Sequence, residues 1–216
     1  MDVVRRVTYQ LVIFDFDGTL ADSFPWFLSI VNSVAEKYRF RKIAADEVDA
    51  MRALGAREIV KSFGVPTWKL PFIARHMRKL KAQHQGEIKL FPGVDRMLRD
   101  LKAQGLTLAI VTSDAEHNVR ATLGEANAAR IDVFACGASL FGKASKFRSV
   151  LKRTGIPPEK ALTIGDEMRD AVAAAEAGIP FGAVAWGYAA ADALAGTQPA
   201  EMFGAMDEIA EKLARA

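Results

Sequence analysis

Cys136 is the only cysteine in the 216 residues, so no disulfide can form within the chain and a reducing compartment suits it. It ends the apolar run 133–136 and is expected to be a small buried hydrophobe. No stretch approaches the length of ~18 uninterrupted apolar residues, which excludes a membrane-spanning helix. The first residues have no apolar signal-like core, since Thr8 and Gln10 follow Arg5 and Arg6, and a cytoplasmic location is expected. Neither sign of charge dominates. There are 29 Lys and Arg against 26 Asp and Glu, a net of +3, and no dense basic run, so nucleic acid binding is not implied. The most basic stretch, Arg75 to Lys81, is expected to be the solvated face of a helix. Internal repeats and low-complexity tracts are also missing.

What is present describes an ordinary globular protein: 50% hydrophobic and 25% charged residues, enough for one good domain and an insert. Leu11 to Phe14 is a short apolar run of the kind that forms a buried parallel strand. Similar runs recur at Leu106 to Val111, Ile131 to Ala135, Ala161 to Ile164 and, last, Phe181 to Ala185. Helical periodicity fills the gaps. Val94, Met97, Leu98 and Leu101 form one stripe before Gly105; Phe147, Val150 and Leu151 form another before Gly155; Ala171 to Ala177 is closed by Gly178. Alternating strands and helices predict an α/β fold with a doubly wound parallel sheet.

The segment from about Ala21 to Gln85 breaks that alternation and shows no convincing strand. Asp22 or Ser23 can cap a helix with Pro25 in its first turn, carrying Phe27, Ile30, Val31, Val34 and Tyr38 on one face. A second helical region runs from Asp46 to Phe63, and a third starts near Trp68 and carries Phe72, Ile73, Met77 and Leu80. Residues 21–87 are therefore expected to be an inserted all-helical cap, and 1–20 with 88–216 the α/β core, which the chain re-enters at Phe91, Pro92 and Gly93.

Asp15, Phe16, Asp17, Gly18, Thr19 and Leu20 follow the first strand run. In extended backbone residues i and i+2 point the same way, so Asp15 and Asp17 share a side and repel unless a cation holds them. Mg²⁺ suits carboxylates plus phosphate oxygens. Gly18 permits a sharp turn and is a candidate substrate-binding position, and Thr19 can tie the turn down. Asp166 and Asp170 follow another strand run and are expected on one face once a helix begins; plain helix capping by acids is the alternative. Thr112 and Ser113 follow a third run, where a hydroxyl could hold a phosphate oxygen or Ser113 or Asp114 could cap a helix. Lys143, with Lys146 nearby, could neutralise a phosphate or an aspartate. Asp15, Thr112 and Asp166 each follow a different strand at its carboxyl end, the edge where open α/β sheets bind ligands.

With these residues in place, the chain resembles the haloacid dehalogenase superfamily, and within it the phosphoglycolate phosphatase-like hydrolases with a helical cap. DFDGTL matches the first motif, the threonine of IVTSD the second, the lysine of FGK the third and GDEMRD the fourth. The resemblance implies an Mg²⁺-dependent phosphatase acting on a small phosphate ester. It makes Asp15 the nucleophile that forms an aspartyl-phosphate and Asp17 the general acid and base. It has Asp15, the backbone carbonyl of Asp17 and Asp166 bind the metal with Asp170 in support, and Thr112 and Lys143 hold the phosphoryl oxygens. Many members have Lys-Pro-x-Pro at the third motif, and here Gly142, Lys143, Ala144, Ser145 and Lys146 stand instead. Lys143 is favoured because it precedes the helix. A sugar-phosphate mutase keeps the same acids and is the alternative within the superfamily.

Three rival readings lie outside it. Gly137, Gly142 and Lys143 fit part of a P-loop, but Ala144 stands where Ser or Thr would bind Mg²⁺. A receiver-type signalling module needs no 65-residue cap and orders its acids differently. A non-catalytic protein would not need Asp15, Asp17 and Asp166 together. Within the cap, Gly55 can break the helical run and turn the following backbone toward the site, and Arg57 could grip an anionic part of the substrate. The substrate and the oligomeric state are not legible.

Overall fold

The computed structural model describes residues 9–137 and 142–214. Its strands are β1 (Leu11–Phe14), β2 (Ala21–Asp22), β3 (Lys89–Leu90), β4 (Thr107–Val111), β5 (Val133–Ala135), β6 (Ala161–Gly165), β7 (Phe181–Val184) and β8 (Glu201–Phe203). Six of them form one parallel sheet in the order β5-β4-β1-β6-β7-β8. From β1 the chain steps outward to β4 and β5, then returns to β6 on the other side. The reversal lies between β1 and β6, the topological switch point at which doubly wound sheets bind ligands.

Both faces of the sheet are covered, which explains why its strands read as unbroken apolar runs. Val12 and Phe14 pack into one cluster with α5 (Val94–Ala103), α6 (Glu116–Ala128) and α10 (Met206–Ala214). Leu11 and Ile13 face the other way, onto α7 (Lys143–Thr154), α8 (Met168–Ala177) and α9 (Ala191–Ala195). Gly155 and Gly178 end α7 and α8 in left-handed backbone, as their spacing suggested. Two features depart from expectation. The sheet has a sixth strand, β8, only three residues long and beginning with Glu201, too short and too polar to stand out as an apolar run. The insert begins with β2, which pairs antiparallel with β3 and so ties the two chain crossings together.

Between that pair lie α1 (Phe24–Tyr38), α2 (Val48–Arg52), α3 (Ala56–Ser62) and α4 (Leu70–Gln83). Ser23 occupies the N-cap position of α1 but makes no side-chain cap; its hydroxyl hydrogen-bonds Tyr188 Oη at 3.1 Å. The expected second helix is two, split before Gly55, whose N–H donates to Glu58 Oε2 at 2.8 Å. The cap has a small core of its own, where Val31, Ile43 and Phe63 are buried against Phe27, Phe40 and Ile59. Cys136 is half-buried against the main core, and burial pushes its thiol up to about 11.

Because this core is separate, its loss should be felt locally. In Phe63→Ala, amide exchange in α1 and α3 should speed up on the order of a hundredfold, as for a buried aromatic lost. The amides of β1, β4 and β6 should keep their protection. Equal loss of protection in the sheet would show that the cap does not open on its own.

Candidate active site

Register brings the acids together. Phe14 is level with Ile110 of β4 and Ile164 of β6, and Asp15 N–H donates to Ile164 O at 2.8 Å. Asp15, Thr112 and Asp166 therefore leave three adjacent strands at one edge. Asp15, Asp166 and Asp170 are all buried and can each place a carboxylate oxygen within 4.8 Å of the others. Asp166 accepts hydrogen bonds from Thr19 Oγ1 at 2.7 Å and from the Tyr188 N–H at 2.8 Å. Gly18 and Gly187 both lie against it, and a Cβ on either would run into its carboxylate. The Gly18 N–H is committed to Ala21 O, so Gly18 contributes room here rather than a donor.

The expected helical face for Asp166 and Asp170 is not how they meet. Asp166 precedes α8 by two residues, and Asp170, in its first turn, accepts from the Glu167 N–H at 3.1 Å. Asp170 thus caps the helix and joins the acidic cluster as well.

Lys143 Nζ bridges Asp15 Oδ2 and Asp170 Oδ1, each at 2.6 Å. Lys146 turns elsewhere, donating to Cys136 O at 3.3 Å. Residues 138–141, most of the P-loop-like stretch, lie outside the described residues. Burial pushes the Asp15 carboxyl up to about 6, with Lys143 pulling the other way. Burial and the neighbouring Glu167 and Asp15 charges hold Asp166 well above the usual carboxylate range. Burial alone would lower Lys143, but Asp15 and Asp170 hold its pKa above the ordinary lysine value. Three crowded carboxylates against one lysine leave an all-oxygen donor set with negative charge to spare, which fits a hard divalent cation.

Thr112 Oγ1 accepts from the Asp114 N–H at 3.1 Å and retains its own O–H to donate. Neither Ser113 nor Asp114 is the N-cap of α6; Ala115 is. Asp114 instead binds Lys81. Lys81 Nζ lies 2.5 Å from Asp17 Oδ1 and 2.6 Å from Asp114 Oδ2, with its side chain 8% exposed. The basic stretch is thus only partly a solvated face: Arg75, Arg78 and Lys79 are exposed, while Lys81 enters the site from α4. Burial opposes its charge, yet Asp17 and Asp114 raise its pKa above the ordinary value. Arg52 makes a second tie from the cap, donating to Tyr188 O at 3.1 Å and Gly187 O at 2.9 Å. Arg52 and Tyr188 were not singled out from sequence; Asp114 was read only as a possible helix cap and Lys81 only as part of a solvated basic face. Only the mixed face of α4, with Lys81 four residues after Met77, hinted at one of them. Arg57 is exposed and borders a charge-lined cavity of about 340 Å³ together with Asp15, Asp17, Thr112, Ser113 and Lys143.

Two outcomes follow. Lys81→Met leaves Asp17 and Asp114 unpaired, and should cost about 3–5 kcal/mol of stability by urea unfolding; a loss below ~1 kcal/mol would mean the bridge is solvated. A carboxyl that titrates near 6 must lose its proton before it can ligate a cation. Divalent-cation affinity should therefore be at least about tenfold weaker at pH 5 than at pH 7, the raised Asp166 carboxyl steepening the dependence, with protons released on binding. Calorimetric titration in buffers of differing ionisation enthalpy checks this, and a pH-independent affinity would refute it.

The sequence matches the family model of the haloacid dehalogenase-like hydrolases over residues 12–184. A phosphoglycolate phosphatase from Synechococcus elongatus is 30% identical over 180 residues, 83% of this chain and 85% of that protein. The tyrosine-protein kinase PtkA of Mycobacterium tuberculosis is 30% identical over 213 residues, 94% of this chain and 72% of that protein. The structure is similar to that of a predicted phosphatase from Clostridium acetobutylicum, with a TM-score of 0.81, 22% identity, and 96% of this chain and 99% of that one covered. With a matching model that spans most of its length, the chain belongs to the haloacid dehalogenase-like hydrolase family.

Proposed function

We propose that this protein is a Mg²⁺-dependent phosphomonoester hydrolase, phosphoglycolate phosphatase-like in fold and chemistry, working in the cytoplasm on a small phosphorylated molecule. The observation that carries the reading is the buried group of Asp15, Asp166 and Asp170 at the switch point, bridged by Lys143. Asp15 and Asp166, with the Asp17 carbonyl and support from Asp170, would hold Mg²⁺, which when bound supplies positive charge against the phosphoryl oxygens. Residues 21–87 serve as the cap, and 1–20 with 88–216 as the catalytic core.

Asp15 attacks phosphorus through a carboxylate oxygen, and the bond from phosphorus to the leaving oxygen breaks. Asp17 gives that oxygen a proton, then takes one from the water that hydrolyses the aspartyl-phosphate, releasing phosphate and restoring Asp15. Covalent catalysis divides one difficult displacement into two easier ones. Thr112 and Ser113 donate hydroxyl hydrogen bonds to the phosphoryl oxygens, Lys143 contributes its charge, and Arg57 meets the substrate from the rim of the cap. Asp15→Asn should abolish phosphate release from p-nitrophenyl phosphate while leaving the circular dichroism spectrum unchanged. Lys143→Ala should be far more damaging than Lys146→Ala; substantial turnover by the Asn variant, or the reverse order of lysines, would sink these assignments.

The likeness to PtkA, which extends over 94% of the chain, favours a second reading, phosphoryl transfer to a protein side chain. Stable label on an acceptor protein from γ-labelled ATP, in place of released phosphate, would support it over hydrolysis.

A further inference from the structure

A second cavity, of about 360 Å³, lies between cap and core and adjoins the charge-lined one, sharing Asp17, Gly55, Ala56, Ser113, Met168 and Arg169 with it. Its walls are mostly apolar. Phe24 and Phe27 meet the Tyr188 ring edge-on, at centroid distances of 4.9 and 5.8 Å, and Ile59, Ile73 and Met77 close the far side. The cations that border its interior already have partners. Arg52 spends its N–H groups on the Gly187 and Tyr188 carbonyls and lies over the Phe24 ring at 5.5 Å. Lys81 is held between Asp17 and Asp114, and Arg169 pairs with Glu167. Arg78 also borders the cavity but is exposed at its edge.

A small anionic group placed there would lose water, find these cations taken and face Asp17, Asp114 and Glu167. An apolar group would gain transfer free energy, and the volume is in the range of ~300–1,000 Å³ typical of sites for sizeable ligands. Asp17 borders both cavities, so a leaving group that it protonates has the apolar cavity beside it to occupy. Resting on the hydrolase reading above, the geometry points to a phosphate monoester whose leaving group is a bulky apolar alcohol rather than a small carboxylate such as glycolate.

The test uses the full chain with Mg²⁺ and n-alkyl monophosphates from ethyl to hexyl, whose leaving alcohols are similarly basic, beside 2-phosphoglycolate and p-nitrophenyl phosphate. kcat/KM should rise about threefold to fourfold per methylene, making hexyl phosphate better than ethyl phosphate by on the order of a hundredfold, and better than 2-phosphoglycolate. Ala74→Trp, which fills the apolar cavity from α4, and Ile73→Asn, which makes its wall polar, should each lower the hexyl-to-ethyl ratio. That ratio does not depend on how much of a variant is folded. Activity on p-nitrophenyl phosphate with no rise along the series, or with 2-phosphoglycolate preferred, would overturn this assignment and leave the hydrolase standing. No phosphate released from any ester would overturn the hydrolase reading and this one with it.

Discussion

Mutual repulsion among Asp15, Asp166 and Asp170 is the constraint around which the molecule is arranged. Three carboxylates crowded into a buried space are unfavourable unless each is held and their charge is met. The chain meets the requirement with groups from distant parts of the sequence. Lys143 stands between Asp15 and Asp170, Thr19 and the Tyr188 N–H hold Asp166, and Gly18 and Gly187 supply the clearance that lets the backbone approach it. The apolar strands β1, β4 and β6, sealed by helices on both faces, provide a rigid frame that fixes these groups against their repulsion.

The cap belongs to the same electrostatic arrangement. Lys81 reaches from α4 to two core carboxylates that end different strands, and Arg52 reaches from α2 to the loop that carries Tyr188. Cap position and the setting of Asp17 are therefore coupled through one buried ion pair. These ties commit Lys81 and Arg52, two of the cations that border the space between cap and core. Beside the charge-lined cavity lies an apolar one, and Asp17 borders both.

Much of the frame was legible because its signals are local. Buried parallel strands must be apolar on both sides, so β1, β4, β5, β6 and β7 stand out as runs, and the stripes of α5 and α7 follow helical period. β8 was not legible, since three residues carry too little pattern, and β2 owes its pairing to a strand 67 residues further on.

In the site, the order of residues already puts acids at strand ends: Asp15 and Asp166 follow β1 and β6 directly, with Asp17 two residues past Asp15, and strand ends are local facts. Their partners come from packing between distant segments. Lys143 and Lys146 are chemically alike in sequence, and the start of α7 turns one to Asp15 and Asp170 and the other to the Cys136 carbonyl. Lys81 looks like one more surface cation in a basic run, and becomes buried only because α4 packs its end against the strand edge. A charge's role depends on what lies within a few ångströms of it, and for Lys143 and Lys81 those neighbours are 27 to 128 residues distant along the chain.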